Sequence, residues 1–520
     1  MLAVAESRQQ GFFDAAWCGN VVPRDSFYGL LAEHGERIVR DEDFADCYSE
    51  RRGRPSIPPS ILAKLLLLEY RSGLSDRQAM EAVRFDLRWK VALGLPLDHE
   101  GFHPTSLVKF RARLLLHGKE RVVFERTLAL AAELGLLEEA VEQVVDSTPM
   151  LGAAATQDTV TLVRNGVRKL LDAVAGEDGE AAASLARNLE FDYAKPRQKP
   201  DCDWRSKPAR ERLLTRVARD AERALRAVES EPGLAAGPVV EAARLLRELI
   251  GQDFELDEDD VPRLRRGTAK DRILSVHDPE MRHGRKSHSQ RFDGYKIHAA
   301  AATVAPLLTA IDVSPGCDYD GQQAPALIDS QHEELRPRRL LGDSAYGDSE
   351  TREQLEERRV EVLAPVPEPP ARAGRIGKRD FRIDLAAGAV TCPAGQTVRI
   401  GPPQRSGMRA AVFPDRVCRA CPLKPRCAPG RRGRKIDLRR REDLLQAGRE
   451  ALIDPPTREH LRRTRPRIER LLGLLVHRYH ARQSRYRGKR KACFQAAWTA
   501  VLVNLHPIEA LLAGSAAQTT

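Results

Sequence analysis

Two aspartates lie where the chain predicts the ends of β-strands. Asp146 closes the apolar run of VVDSTP, Asp343 closes that of LLGDSAYG, and a turn follows each of them. One such aspartate alone would be explained by the preference of Asp for turns. Two carboxylates held at strand ends on a rigid sheet instead favour a site for a hard divalent cation, Mg²⁺ or Mn²⁺.

A glutamate within a basic helix is the third acidic candidate. Glu469 lies near the start of a predicted helix with one apolar face, TRPRIERLLGLLVHRYH, which also contains Arg462, Arg463, Arg465, Arg467 and Arg470. The segment alone allows two interpretations of this acid. It is either a salt-bridge partner of its neighbours, or a metal ligand whose neighbours bind phosphate.

Four of the nine cysteines fall in one short segment, at Cys392, Cys418, Cys421 and Cys427. The Cys-x2-Cys pair has the spacing of one arm of a zinc knuckle. The segment is therefore either a structural Zn²⁺ site or a β-rich insertion with reduced cysteines packed inside it. The other five cysteines are scattered and are expected to be reduced.

The positive charge is concentrated in one region. Residues 401–500 hold 27 Lys and Arg against 8 Asp and Glu, a surplus of 19 in a chain whose net charge is +11. A dense Arg-rich field attracts a phosphate backbone, because each neutralised phosphate releases a counterion; the alternative is a solvated charged face. The residues predicted to contact phosphate are Lys296, Arg465, Arg467, Arg470, Arg485, Arg487, Lys489, Arg490 and Lys491.

The hydrophobic pattern predicts a mixed α/β scaffold for these candidates. Strands are predicted at 141–146, 294–303, 307–313, 339–343 and 360–365, and helices at 322–334, 349–358, 467–479 and 491–505. An acidic stretch at 253–260 is predicted to be a solvated loop.

An all-helical region is predicted before the first strand. An apolar helix ends at Ser72-Gly73, and a second helix opens with a capping box of Ser75 and Gln78 and carries Arg77, Arg84, Arg88 and Lys90. The pair resembles a helix-turn-helix. DNA contact and a purely structural or dimerising bundle are both open interpretations.

The bulk composition indicates a globular protein, with 42% hydrophobic and 31% charged residues. The longest apolar runs fall well short of the roughly 20 residues that a bilayer span needs, so no membrane partner is predicted. The first ten residues lack the pattern of a secretory signal. We therefore expect a cytoplasmic, nucleoid-associated protein.

The motifs together resemble the bacterial insertion-sequence transposases of the DDE superfamily, in the subgroup with a helical amino-terminal domain. The resemblance rests on VVDSTP, DPEMRHGRKSHSQRFDGYKIHAA, LLGDSAYGD and RPRIERLLG…RYRG, in that order over roughly residues 20–510. It implies an RNase H-like α/β fold with a mixed five-stranded sheet and helices on both faces. An all-helical domain precedes that sheet, and a helical and a β-rich cysteine-containing insertion interrupt it.

The resemblance also implies a division of the chain. The expected parts are a tail at 1–20, the helical domain at 21–140, the first catalytic strand at 141–159, a helical insertion at 160–260, the catalytic core at 261–365, the cysteine-containing insertion at 366–456, carboxy-terminal helices at 457–510 and a tail at 511–520.

In such a fold Asp146 and Asp343 would lie on neighbouring strands, and Glu469 would join them from a helix to hold Mg²⁺ or Mn²⁺. Similar transposases carry a Tyr-x2-Arg-x3-Glu signature, in which Arg465 matches the Arg while Arg462 stands in place of the Tyr. The Lys found seven residues after the Glu in relatives is Val476 here, with His477 or Arg478 as substitutes.

The implied reaction is metal-dependent strand cleavage at the ends of a DNA element and strand transfer into target DNA, by a homodimer that holds two ends. One alternative is a non-catalytic DNA-binding repressor derived from an inactivated transposase. Another is a His-carboxylate metalloenzyme, for which the candidate ligands are His277, His283, His288, Asp278 and Glu280.

Overall fold

The structure is a computed structural model that describes residues 21–49, 55–137, 141–194, 200–234, 237–258, 261–287, 289–368 and 374–518. No helix in these ranges is long and apolar enough to cross a membrane.

The region before the first strand was predicted to be all-helical, and its described residues form six α-helices: α1 (Phe27–Ile38), α2 (Pro59–Ser72), α3 (Asp76–Phe85), α4 (Leu87–Leu93), α5 (Thr105–Leu116) and α6 (Val122–Glu133). Gly73 ends α2 with a φ of 65°, a left-handed conformation that suits glycine. The predicted capping box of Ser75 and Gln78 opens α3.

The predicted length of the basic helix after Ser75 is wrong. It divides at Asp86, whose side chain accepts a hydrogen bond from the amide of Arg88 and so begins the separate helix α4. Lys90 is buried and its Nζ donates to the carbonyl oxygen of His99 at 3.1 Å. Lys90 is therefore part of the internal packing of the helical region.

A mixed sheet of six strands follows, where five were predicted: β1 (Glu142–Leu151), β4 (Arg282–Arg285), β5 (Arg291–Ala302), β6 (Leu308–Pro315), β7 (Arg339–Leu341) and β8 (Glu361–Leu363). The strands β2 (Phe254–Leu256) and β3 (Pro262–Leu264), which lie between β1 and β4 in the chain, form a separate short hairpin. β1 pairs antiparallel with β5 and parallel with β7, and β7 pairs parallel with β8. β6 and β4 pair antiparallel with successive stretches of the other edge of β5.

Two layers of side chains cover the faces of this sheet. Val144, Met150 and Ile297 belong to one large buried cluster that also contains residues of the amino-terminal helices and of the last helix. Val145, Ala300 and Ala310 belong to a second cluster, with residues of α11 (Ala324–Asp329) and α12 (Ser349–Glu356). The helical region before β1 thus shares its core with the sheet.

The predicted helix at 322–334 is reduced to α11, with single 3-10 turns on either side. The chain turns inward after α11 because the amide side chain of Gln331 pairs with that of Gln143 on β1, at 2.8 and 3.0 Å. Both glutamines are buried, so the pair satisfies polar groups that water cannot reach.

The described residues between β1 and β4 include four α-helices, α7 (Thr159–Glu177), α8 (Gly179–Arg187), α9 (Lys207–Ser230) and α10 (Gly237–Asp253). They pack around a hydrophobic cluster of their own. The predicted solvated loop at 253–260 is wrong at its start, because Asp253 is buried and accepts two hydrogen bonds from Arg272, at 2.7 and 2.8 Å. Asp259 and Asp260 lie outside the described residues.

The segment 374–438, named here the cysteine module, contains short strands and helices: β9 (Arg382–Asp384), β10 (Ala389–Thr391), β11 (Thr397–Arg399), β12 (Arg409–Val412), β13 (Lys435–Leu438), α13 (Asp415–Arg419) and α14 (Lys424–Cys427). Four further helices complete the chain: α15 (Glu442–Ala451), α16 (Pro455–Thr464), α17 (Pro466–Gly473) and α18 (Lys489–Gln518). The helix predicted at 467–479 ends as an α-helix at Gly473 and continues as a π-helical turn, Leu474–Arg478.

Candidate active site

Asp146 lies in the middle of β1, so the prediction that its strand ends there is wrong. The strand continues through the turn-like triplet Ser147-Thr148-Pro149 to Leu151, paired throughout with β5. Pro149 is tolerated because β7 pairs with β1 only as far as Val144, which leaves the other edge of β1 open at the proline. The Asp146 side chain is partly buried, and its Oδ1 accepts a hydrogen bond from the amide of Ser147 at 2.7 Å.

Asp343 follows the neighbouring strand in the same direction. Val144 pairs with Leu341 in the parallel ladder of β1 and β7, and each aspartate lies two residues beyond that pair. The Asp343 side chain accepts a hydrogen bond from the amide of Ala345 at 2.8 Å, which fixes the turn that opens after β7. The strands therefore place the two carboxylates at the same level of the sheet.

Glu469 approaches from α17, which packs over β1 and β5. The buried face of this helix is formed by Ile468, Leu471 and Leu472, and it holds the helix against the sheet. The Glu469 side chain is about half exposed, at 54%, and its Oε1 lies 3.3 Å from Nη2 of Arg465 one turn earlier. The salt bridge proposed as the alternative role of Glu469 is thus present.

Asp146, Asp343 and Glu469 line one cleft of about 490 Å³. They are not gathered tightly, because no group of three or more His, Cys, Asp or Glu side chains in the described part of the chain is arranged to hold a metal ion. Basic residues surround the acids in the same cleft: Arg285, Lys286, Lys296, Arg465, His477 and Arg482.

A fourth acid in this cleft, Asp320, was missed by the sequence analysis. It lies in the loop after β6, where it accepts hydrogen bonds from Nζ of Lys296 at 2.7 Å and from Oγ of Ser147 at 2.9 Å. The available signal was an acidic pair, Asp318 and Asp320, soon after a predicted strand. Arg285, Lys286 and Arg482 were also missed, since none of them belongs to the basic runs near Glu469 and Tyr486.

The acids of the cleft create a negative field at its floor. Burial, with a further contribution from Asp343, raises the pKa of Asp146 to about 6, although the Ser147 amide and Arg465 act in the opposite direction. Burial and the nearby Asp348, Asp343 and Asp320 raise the pKa of Tyr319 to about 12. A cation that approaches such carboxylates stabilises their charged form.

The residues predicted to contact phosphate lie in different surroundings. Arg465 lines the cleft beside the acids, whereas Arg467 and Arg470 are exposed on α17 and do not line it. Lys296 also lines the cleft, but its Nζ is held by Asp320 and by the carbonyl oxygen of Asp318. Its ammonium group therefore already has a counter-charge.

The basic run after Tyr479 is partly used in packing. Arg485 forms an ion pair with the buried Glu69 of α2 at 2.7 Å, and Arg490 forms one with Glu120 at 2.5 Å. The remaining members of the predicted run stay on or near the surface: Arg487, Lys489 and Lys491.

The competing histidine site is not assembled among the described residues. His283 pairs with Asp293 at 2.6 Å, the buried Asp278 accepts a hydrogen bond from Tyr295, and Glu280 accepts one from the amide of Lys489. His288 lies outside the described residues.

The positions that depart from the family signature lie in different parts of the structure. Arg462 is paired with Glu459 on the exposed side of α16, at 2.7 Å. Val476 and His477 line the cleft, and Arg478 is not among its lining residues. Of the two proposed substitutes for the missing lysine, His477 is therefore the one placed at the acids.

Comparison with protein families gives two matches. Residues 18–113 match a family described as a transposase domain, and residues 391–508 match a family described as a transposase DDE domain. The second match includes Glu469 and the four clustered cysteines, while Asp146 and Asp343 lie before it. Comparison with curated proteins and with solved structures finds no match.

Proposed function

We propose that this chain, which matches transposase families over residues 18–113 and 391–508, is an insertion-sequence transposase of the DDE type that cleaves DNA at the ends of a mobile element and transfers the cut strands into target DNA. The observation that carries this proposal is the cleft that Asp146, Asp343 and Glu469 line together although they are distant in sequence.

The proposed scaffold is an RNase H-like catalytic domain. The strand order supports it: β6, β5, β1, β7 and β8 lie side by side, so that the first of these strands in the chain is central. The two strands next along the chain pair antiparallel on one side of β1, and the last two continue parallel on the other. The parallel pairing of β1 with β7 ends at Val144 and Leu341, so two acids just beyond that pair lie on neighbouring strands where the ladder opens.

We propose that Asp146, Asp343 and Glu469 hold Mg²⁺ or Mn²⁺. The donor set fits hard cations, because every acidic group in the cleft is a carboxylate and the pKa of Asp146 is raised by its burial and by Asp343. Metal binding would draw the three carboxylates together, and the half-exposed side chain of Glu469 is held by Arg465 alone among the described contacts. When bound, a pair of such ions activates a water or 3′-hydroxyl and stabilises the leaving oxygen.

The chain's own basic groups would orient the DNA. Arg465 lies beside Glu469 and, once released from that carboxylate, is within reach of a phosphate bound in the cleft. Arg285 and Lys286 extend from the end of β4 along the same cleft and are exposed. Guanidinium groups contact phosphate in bidentate fashion, so these residues would fix the scissile strand over the acids.

We further propose that the protein acts as a homodimer, since two element ends must be processed together, and that it works at the nucleoid, where its DNA substrate is. The helical domain at 21–140, the exposed Arg487 and Lys491 and the partly buried Lys489 would hold DNA outside the cleft.

The test is cleavage of a supercoiled plasmid that carries the DNA flanking the coding sequence. The wild-type chain is expected to nick it only with Mg²⁺ or Mn²⁺. Asp343→Asn is expected to lower the rate at least about a hundredfold while leaving DNA binding intact. Asp172→Asn, which removes an exposed acid of α7, is the matched control and should behave as wild type.

The alternative is a repressor that binds DNA without cutting it. It predicts that wild type and Asp343→Asn bind the flanking DNA equally and that both are inert with either metal. That outcome would overturn the proposed cleavage and leave the DNA-binding function.

A further inference from the structure

The cysteine module brings four free thiols around one small cavity. Cys392 follows β10, Cys418 and Cys421 come from the end of α13 and the turn after it, and Cys427 ends α14. All four line a cavity of about 30 Å³, a space that holds one water-sized particle. Cys418, Cys421 and Cys427 are close in sequence, whereas Cys392 lies 26 positions before Cys418 and is brought to them by the fold.

Backbone hydrogen bonds fix the turns that carry these thiols. The amide of Gly395 donates to the carbonyl oxygen of Cys392 at 2.9 Å, and Gly395 has a φ of 78° that favours glycine. The amide of Cys421 donates to the carbonyl oxygen of Cys418 at 3.2 Å. Tight turns that present sulfurs from separate elements to one point are typical of structural zinc sites.

Two basic side chains at the same cavity have a buried nitrogen without a hydrogen-bond partner among the described residues, Nζ of Lys424 and Nε of Arg434. The other guanidinium nitrogens of Arg434 donate to the carbonyl oxygens of Cys427 and Ile376, which carry no full negative charge. A buried cation without a counter-charge is costly. Four thiolates around one Zn²⁺ would leave two negative charges there, which is the counter-charge that these two groups lack.

The hydrophobic core of the module is small. Its buried cluster consists of seven side chains, Phe381, Val390, Ile400, Ala411, Phe413, Ile436 and Leu438, and its strands have three or four residues each. Small units with so little buried apolar surface usually need a disulfide or a metal ion to hold them. None of the four cysteines forms a disulfide.

We propose that one Zn²⁺ is bound in this cavity by four thiolates, those of Cys392, Cys418, Cys421 and Cys427, and holds the cysteine module together. The thiols release their protons to solvent as they bind the ion. They surround the cavity without forming a complete coordination sphere within the described structure, so binding draws them inward over the small space between them. This site is separate from the acidic cleft and does not depend on DNA cleavage.

The test measures zinc in the purified full-length chain. Under reducing conditions, with loosely bound metal removed, the wild type is expected to retain about one Zn²⁺ per chain. Cys421→Ser should lose at least about four fifths of that zinc, whereas Cys202→Ser, before α9, should keep it. A wild type that holds no zinc after reconstitution, or a Cys421→Ser variant that holds as much as wild type, would overturn the proposal.

A second measurement covers the case in which Cys421→Ser prevents the module from folding. Co²⁺ added to the metal-free wild type should give a thiolate-to-metal absorption band that saturates at about one Co²⁺ per chain. Zn²⁺ should abolish the band, and excess Mg²⁺ should leave it unchanged, because Mg²⁺ prefers oxygen ligands. Absence of the band, or its loss on addition of Mg²⁺, would contradict a four-thiolate site.

Discussion

Nζ of Lys296 lies 2.7 Å from Oδ1 of Asp320, at the edge of the cleft that holds the three predicted acids. The two side chains come from β5 and from the loop after β6, and both are largely buried, at 12% and 21% exposure. The pair neutralises the one lysine of the sheet that faces the cleft. The Asp320 carboxylate also accepts a hydrogen bond from the hydroxyl of Ser147, the residue that follows Asp146.

Replacement of Asp320 should therefore strengthen DNA binding. Asp320→Asn removes one negative charge from the cleft and frees Lys296 for a phosphate, so the Kd for a duplex of the flanking DNA should fall roughly threefold to tenfold. The slope of log Kd against log salt should steepen by about one. Titrations at several salt concentrations measure both quantities.

Asp318→Asn is the matched control for that variant. Asp318 lies in the same loop, but it contributes its backbone carbonyl to Lys296 and its side chain does not line the cleft. Its affinity and salt slope should equal those of wild type. Equal gains in both variants would show that general loss of negative charge, and not release of Lys296, causes the effect.

Replacing Arg465 should slow DNA cleavage much more than replacing Arg467. Arg465 lines the cleft and pairs with Glu469, whereas Arg467 is exposed and does not line it. Arg465→Gln should reduce the initial rate of plasmid nicking about tenfold to a hundredfold at saturating Mg²⁺. Arg467→Gln should change it less than about threefold, and similar losses in both would contradict the assigned positions.

Replacing Arg485 should lower the stability of the protein, whereas replacing Arg487 in the same basic run should weaken DNA binding. Arg485 pairs with the buried Glu69, which keeps Arg111 at 3.4 Å as a second partner, so Arg485→Ala should lower the free energy of unfolding by about 1 to 2 kcal/mol. Arg487→Ala, at an exposed position, should change it by less than about 0.5 kcal/mol and weaken DNA binding. Urea denaturation and DNA titration of each variant decide this, and an unchanged stability of Arg485→Ala would refute it.

The raised pKa of Asp146 predicts a pH-dependent stability of the metal-free chain. Because the folded-state pKa, about 6, exceeds the ordinary value of 3.8, the stabilising contribution of this group is fully present below about pH 3.8 and is lost as the pH rises through about 6. Asp146→Asn should therefore have a higher Tm than wild type at pH 8 and lose this advantage towards pH 4. Asp172→Asn should show no such trend in thermal melts across this range.

The sequence by itself determined most of the order of elements and on which elements the three predicted acids lie. The apolar runs before Asp146 and Asp343 lie on neighbouring parallel strands, and Glu469 lies on a helix whose apolar face packs over them. Those features are local, because the periodicity of apolar residues decides strand or helix within a few residues. The helices before β1, predicted from capping residues and apolar spacing, are present for the same reason.

Only the tertiary structure decided which charged groups are paired within the protein and which are free to bind a ligand. From the sequence, Lys296 and Arg485 are predicted to contact phosphate and Asp320 has no assigned role. Their charges are instead paired in or near the interior by partners that are distant in the chain, as far as 416 residues for Arg485 and Glu69. The continuation of β1 beyond Asp146 has the same cause, since pairing with β5 outweighs the turn preference of Ser147-Thr148-Pro149. Burial and long-range pairing depend on the whole fold, so no local pattern encodes them.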